Sequence, residues 1–272
     1  MQGWLVYSPE GYARNRWFAD RILDMAAGSG APLELRIVPA DGLPPLDRPP
    51  DFVVMRAIRP ELSAALEARG VRVFNNAVTS RIANDKWETF RLAREMGVPV
   101  MPTARFLWPD RPPLAFPYVL KSLDGHGGGE VFLVRDEDGL AEAVASVGKR
   151  DFIAQPLCDE PGVDVRVYVL DGRVLAAVRR RSRADFRSNF SLGGSAEVVD
   201  VDTWQLDAVQ RLHGRLEFFF AGVDFIRHGG RWTLNEIEDV VGTRMLYAAA
   251  GIDAASAFVS ALGNNLPFAP VL

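Results

Sequence analysis

Apolar residues in the first third of the chain fall in short runs separated by helix-spaced stretches. The run GWLVYS, residues 3–8, reads as a buried strand, and residues 13–27 read as a helix. Residues 33–39 form a second strand pattern. A proline-rich connection, DGLPPLDRPPD, leads to a third at 52–55. Residues 59–69 repeat the helical spacing and 71–75 the strand pattern. Strands that alternate with helices predict a small parallel α/β layer, placed at residues 1–84.

Asp85 opens the next helix. Asp85 and Glu88 have capping-box spacing, and Trp87, Phe90, Ala93 and Met96 recur on one side of a 3.6-residue period. Gly97 and Pro99 end it. Strands then follow at 117–122, 130–135 and 152–155, with a helix at 139–147. Residues 85–157 are therefore expected to form a second α/β unit. From Asp164 onward the pattern changes to hairpins. DVRVYVL and RVLAAVRRR flank Asp171-Gly172, a strong turn pair. An amphipathic helix is expected over 203–219 with Val209, Leu212 and Leu216 facing inward, then a second hairpin, then a helix over 254–262. Residues 158–272 make the third unit, and the class is α/β with an antiparallel (α+β) C-terminal part.

Composition limits the functions open to such a chain. Its 272 residues and 48% hydrophobic content support a large core. The net charge of −4, with both signs interspersed, gives no nucleic-acid footprint. A single cysteine, Cys158, excludes a disulfide framework and a cysteine zinc site, and fits a reducing cytoplasm. The start of the chain has no signal-peptide pattern, and no apolar run has membrane-spanning length.

The last hairpin, GVDFIRHGGRWTLNEIEDVVG, carries candidate chemistry. Glu236 and Glu238 are two apart on one strand and so share a face. Asp224, on the partner strand, can join them. Three converging carboxylates need a hard cation between them, unless the strand is a solvated acidic edge. Lys121 ends the apolar strand PYVLKS just before the glycine loop LDGHGGGE. Gly125, Gly127, Gly128 and Gly129 let backbone N–H groups approach a phosphate, although such a loop can also be a plain turn. His126 reads as an exposed loop residue. Lys86 is either a solvated helix lysine or a second phosphate clamp. Asp164 and Arg166 share a strand face, as a cross-strand ion pair or as a ribose acceptor and its neighbour. Arg179, Arg180, Arg181, Arg183 and Arg187 crowd one strand end and loop. Without interleaved aromatics they fit a carboxylate or phosphate better than nucleic acid. No nucleophile elbow, HExxH or Cys–His pair is present.

In this order, these segments resemble the ATP-grasp superfamily, and within it the RimK-type glutamate ligases, from about Asn75 to Gly251. The most specific stretch is DVRVYVLDGRVLAAVRRRSRADFRSNFSLGG. The resemblance implies a nucleotide held between the second and third units, with Lys86 and Lys121 on the ATP phosphates. It implies a flexible lid at Gly125–Gly129, with Gly127 and Gly128 at its tip. The backbone of Gln155, Pro156 and Leu157 would read adenine, and Asp164 would meet the ribose. Arg187, Ser188 and Asn189 would face the γ-phosphate and acyl group. Asp224, Glu236 and Glu238 would hold Mg²⁺ or Mn²⁺, while Arg180 serves the reacting anion. Gly242, Thr243 and Arg244 would lie at the substrate.

The chain departs from that pattern in three places. Pro156 replaces an acidic residue, Glu238 replaces an asparagine, and the tail DVVGTRMLY lacks Pro-Gly, so glutamate does not follow as the substrate. The implied reaction is ATP-dependent joining of a small-molecule or peptide carboxylate to an amine through an acyl phosphate. A small-molecule kinase and a nucleotide-binding regulatory module are the alternatives. No nucleic-acid or membrane partner is expected, and a homo-oligomer stays open.

Overall fold

The computed structural model describes residues 1–39, 48–148, 151–182, 184–188 and 194–266. Three sheets organise them. The first is parallel, in the order β2-β1-β3-β4, from β1 (Gly3–Tyr7), β2 (Leu33–Ile37), β3 (Phe52–Met55) and β4 (Arg72–Phe74). The helices α1 (Pro9–Ala27) and α2 (Pro60–Glu67) are its crossovers. Two further helices, α3 (Ala77–Ala83) and α4 (Lys86–Glu95), lead to the second sheet. That sheet is antiparallel, in the order β5-β8-β6-β7, from β5 (Ala104–Leu107), β6 (Tyr118–Ser122), β7 (Val131–Val134) and β8 (Asp151–Pro156), with α5 (Glu137–Val147) packed on it.

The third sheet is also antiparallel. It contains β9 (Val163–Leu170), β10 (Arg173–Arg181), β11 (Ser195–Val199), β12 (Phe220–His228) and β13 (Arg231–Glu238), in the order β11-β10-β9-β12-β13. The helices α6 (Thr203–Leu216), α7 (Arg244–Ala248) and α8 (Ala254–Asn265) complete the chain. Among the described residues, no helix is long and apolar enough to cross a membrane.

Local chemistry explains most element boundaries. Ser8 caps α1 by accepting from the Gly11 N–H at 2.9 Å, with Pro9 in the first turn, so this helix starts earlier than its apolar spacing indicates. Asp171 and Gly172 take the left-handed conformations, with φ of 50° and 73°, that a tight β9–β10 turn requires. At Asp85 the cap forms, accepting from Trp87 and Glu88 at 2.8 and 2.9 Å. Glu88 does not close the expected capping box, because its carboxylate pairs with Arg81 and Arg91 instead. The buried side of α4 is Thr89, Leu92 and Ala93, while Trp87 and Phe90 stack on each other half-buried. The helix turns this side because its core partner is the third sheet, near β13.

Four elements escape the periodicity reading: α3, β5, β11 and α7. Each is short, and α3 depends on a local cap, Asn76 Oδ1 accepting from Thr79 N–H at 2.8 Å.

Strand β9 is buried on both faces. Val165, Val167 and Val169 point to α6 with Val209 and Leu212, while Tyr168 and Leu170 join a second core with Leu5, Phe52, Phe74 and Phe258. This second core ties the first sheet to the third, and Asn75 fastens the seam. Its Oδ1 accepts from the Phe219 and Phe220 N–H groups, the latter at 3.0 Å. Its Nδ2 donates to Phe220 O at 2.9 Å and to Asp239 Oδ1 at 2.5 Å. Removing this buried amide strands several polar groups at once. The expected cost of Asn75→Ala is about 3 kcal/mol of unfolding free energy, read by urea denaturation. A loss below about 1 kcal/mol would show that water replaces the amide.

Candidate active site

One cleft opens between the second and third sheets. Its walls carry Lys86, Val119, Lys121, Gln155, Pro156, Leu157, Asp164, Arg180, Arg187, Ser188, Glu236 and Glu238, with Gly125, Gly127 and Gly128 along one rim. Residues expected from several separate motifs therefore share one cavity.

Lys121 is only 7% exposed. Its Nζ donates to Asn235 Oδ1 at 2.8 Å, and burial lowers its pKa to about 8, a shift that Glu236 opposes. Lys86 is not a solvated helix lysine. The Asp85 cap turns it inward, its Nζ donates to Gly125 O at 2.5 Å, and burial lowers its pKa against the pull of Glu236. Two lysines thus reach the same space from α4 and β6.

The glycine loop has positional reasons for its glycines. Gly127 and Gly128 have φ of 66° and 76°. A Cβ on Gly125 would come within 2.3 Å of Ser122 Oγ, which hydrogen-bonds Glu130. Arg187 ties the loop to the third sheet by donating from Nη1 to Gly128 O at 2.7 Å, while Asp185 holds the rest of its fork. His126 is exposed in this loop. At the opposite wall, Gln155 is buried and donates to Thr103 Oγ1 at 2.9 Å. Met101, Val119, Leu157, Ile226 and Ile237 supply the apolar lining there.

A buried ladder of charge crosses the floor. Arg180 is opposite Asp164 in the β9–β10 register, and Arg166 is opposite Asp224 in the β9–β12 register. Arg180 donates to both oxygens of Asp164, from Nε at 2.6 Å, and also to Asp224 Oδ2 at 2.6 Å. Arg166 grips Asp224 with two bonds at 2.7 and 2.6 Å and pairs with Glu238. Burial alone would raise the Asp224 carboxyl, but the two arginines outweigh it and hold its pKa to about 2. At Asp164 burial dominates and raises the pKa, with Arg180 opposing.

This ladder corrects several expectations. Asp224 is fully buried between two arginines and is not an open metal donor. Asp164 and Arg180 are cross-strand ion-pair partners, and Arg180 also meets Asp224, while both line the cleft wall. Arg244 is exposed at the start of α7 and does not line the cleft. Asn189 and Arg183 lie outside the described residues. Among the described residues, no three His, Cys, Asp or Glu side chains are grouped to hold a metal. Glu236 and Glu238 do line the cleft. That donor set fits an ion completed by ligand phosphates and water.

Asn235 was missed, and a β-bulge explains why. The β12–β13 register shifts between Asp224 and Phe225: Asp224 pairs with Glu236 but Phe225 pairs with Leu234. The extra residue, Asn235, is turned into the cleft beside Glu236. Strict alternation would have sent these neighbours to opposite faces. Val119 was legible in principle, since it is two residues before Lys121 on β6 and shares its face.

Comparison with known proteins agrees with this architecture. A family model described as a RimK-like ATP-grasp domain matches residues 104–262. A probable alpha-L-glutamate ligase of Pasteurella multocida is 29% identical over 199 residues, covering 70% of this chain and 63% of that protein. An uncharacterised Mycoplasma pneumoniae protein is 29% identical over 167 residues, covering 61% of this chain and 58% of that one. The chain thus spans less than two thirds of the length of these relatives. Among solved structures, a RimK domain ATP-grasp protein of Sphaerobacter thermophilus superposes with a TM-score of 0.72 at 20% identity, covering 96% of this chain and 98% of that one. The D-alanine–D-alanine ligase of Bacillus anthracis, complexed with ATP, gives 0.72 at 17% identity, covering 97% and 95%. At these identities the structural likeness shows the fold.

The Arg187–Gly128 bond makes a local prediction. In Arg187→Ala, amide exchange across residues 124–130 is expected to accelerate several-fold while β6 stays protected. Unchanged exchange in the loop would mean that Arg187 does not hold it.

Proposed function

The chain belongs to the RimK-like ATP-grasp family, and we propose that it is an ATP-dependent carboxylate–amine ligase working in this cleft. The observation that carries the reading is the convergence of two inward-turned lysines, a glycine rim and Glu236 on one cavity. Adenine packs against the apolar lining beside Leu157, within reach of the Gln155–Leu157 backbone. The triphosphate extends toward Lys86, Lys121 and the glycine loop, with Arg187 and Ser188 at its far end. Glu236 and Glu238 would hold Mg²⁺, which when bound would neutralise phosphate charge and polarise the γ-phosphorus.

A substrate carboxylate oxygen attacks the γ-phosphorus, and the bond to the β-phosphate oxygen breaks, releasing ADP. The product is an acyl phosphate. An amine then attacks its carbonyl carbon, phosphate leaves, and the amine loses a proton to give the amide. No protein nucleophile is required. The side chains orient the reactants, balance charge and keep water from the acyl phosphate. The name of the Pasteurella multocida relative supports glutamate, or a similar amino acid, as one of the two substrates joined.

Two measurements test the reading. ADP release should require both a carboxylate and an amine, with an amide as product. ADP release that depends on one small molecule, and leaves that molecule phosphorylated, would make the protein a kinase instead. The second is a pH profile of ATP affinity. Below about pH 8 Lys121 is charged and attracts phosphate, and above it Lys121 is neutral. Affinity should therefore fall as pH rises through 8, and Lys121→Arg should abolish that inflexion, because guanidinium stays protonated. A flat profile in the wild type would remove Lys121 from the phosphate site.

A further inference from the structure

Arg166 reaches Glu238 by an unusual route. It starts on β9 opposite Asp224, and its stem crosses the neighbouring strand β12 at Gly222. A Cβ on Gly222 would stand 3.1 Å from Arg166 Cδ, 3.2 Å from its Nε and 2.9 Å from Val241 Cγ2. Only glycine leaves this path open. Gly222 is in turn the register partner of Glu238 on β13. The guanidinium therefore grips Asp224 through Nε and Nη2 and still places Nη1 on Glu238 Oε2. That oxygen is buried in the ion pair with Arg166 and takes no hydrogen bond, while the Glu238 side chain keeps 35% of its surface exposed and lines the cleft. One carboxylate oxygen is thus fixed beneath the floor, and the other is left to the cleft.

We propose that Arg166 is the residue that sets metal selectivity in this cleft, by restricting Glu238 to a one-oxygen donor and so favouring Mg²⁺ over Ca²⁺. This rests on the reading of Glu236 and Glu238 as the metal-holding pair. Mg²⁺ demands a compact octahedron and takes one oxygen from each carboxylate. Ca²⁺ accepts six to eight oxygens and gains from a bidentate carboxylate. An unrestrained glutamate can turn both oxygens to the ion. A glutamate with one oxygen buried in an ion pair against a guanidinium that Asp224 already fixes cannot. Arg166 shares its charge between Asp224 and Glu238, so Glu238 reaches the cleft with its negative charge only partly offset.

The test uses the full chain with a nonhydrolysable ATP analogue. Bound Mn²⁺, followed by electron paramagnetic resonance, is displaced by Mg²⁺ or by Ca²⁺, and the ratio of the two displacement constants is compared across variants. Arg166→Gln is expected to shift that ratio toward Ca²⁺ by about tenfold. Because this variant also removes a buried cation beside Asp224, Gly222→Ala serves as the second probe. It keeps every charge and pushes the Arg166 stem off its path, and should shift the ratio the same way by about threefold. Glu238→Asn offers one oxygen in any case, so its ratio should stay near the wild-type value, and adding Arg166→Gln to it should change nothing. Unchanged ratios in both the Arg166 and Gly222 variants, with Mn²⁺ binding lost in Glu236→Gln, overturn the selectivity role alone. So does an equal shift in the Glu238→Asn background. Equal Mn²⁺ affinity in the wild type and Glu236→Gln overturns the metal reading and this proposal with it.

Discussion

The constraint on which the rest depends is the pairing of buried charge across the floor of the third sheet. An isolated carboxylate there would be neutralised or would unfold its surroundings, because the desolvation cost of an unpaired ion is several kcal/mol. Asp164, Asp224 and Glu238 avoid that only because Arg166 and Arg180 reach them from strands one or two positions away in the sheet. The reach is a property of register. A slip of one residue would send Arg166 and Asp164 into the valine face beneath α6 and lift Val165 to the floor. The ladder therefore discriminates against every neighbouring register. The absence of a side chain at Gly222 belongs to the same constraint, since the arginine passes there.

Once the arginines are committed, the electrostatics of the cleft change character. The acids that looked like an open cluster are largely neutralised from below. What remains facing the cavity is Glu236 against the two lysines, with the outer part of Glu238 beside them. Both lysines are held below their ordinary pKa by burial, so they gain more from an arriving anion than solvated lysines would. Under the proposed function a polyphosphate would bring that anion, and an accompanying divalent ion would offset the charge it brings to Glu236. Phosphate capture on that reading would follow from a balance among side chains, with the arginines acting at one remove.

Much of this was legible in the sequence, and what was not has identifiable causes. The parallel layer, the Asp171-Gly172 hairpin and the acidic hairpin follow from periodicity and turn chemistry, which are local. Lys86, Lys121, the glycine loop and Glu236 emerged through order along the chain, and the fold brings them to one cavity. The fate of the charged residues was not local. Asp164 and Arg166 could be read as an ion pair or as ligand groups, and only the strand order β10-β9-β12 shows that each meets a partner from a different neighbour. The bulge at Asn235 was hidden for a related reason, since register shifts appear only when the partner strand is known. Short elements such as α3 and β5 hold too few residues for a period to show.

The first sheet, distant from the cleft in sequence, has a mechanical part in it. Asp239 directly follows the strand that carries Glu236 and Glu238. Its buried carboxylate accepts from Asn75, at the end of β4, and from Asn84 at 3.3 Å, just before α4. Burial raises its pKa, and the hydrogen bonds from Asn75 and Asn84 oppose that rise. Two residues on, Val241 O accepts from the buried Arg56 Nη2 at 2.7 Å, which reaches across from the end of β3. The end of β13 is thus clamped from two points of the parallel layer before the chain leaves the cleft. A strand end bearing two carboxylates beside two lysines is under electrostatic tension in whichever state the cleft adopts, empty or filled. Fixing it to a layer that shares its hydrophobic core, rather than to the glycine loop opposite, holds the acids in place independently of that loop.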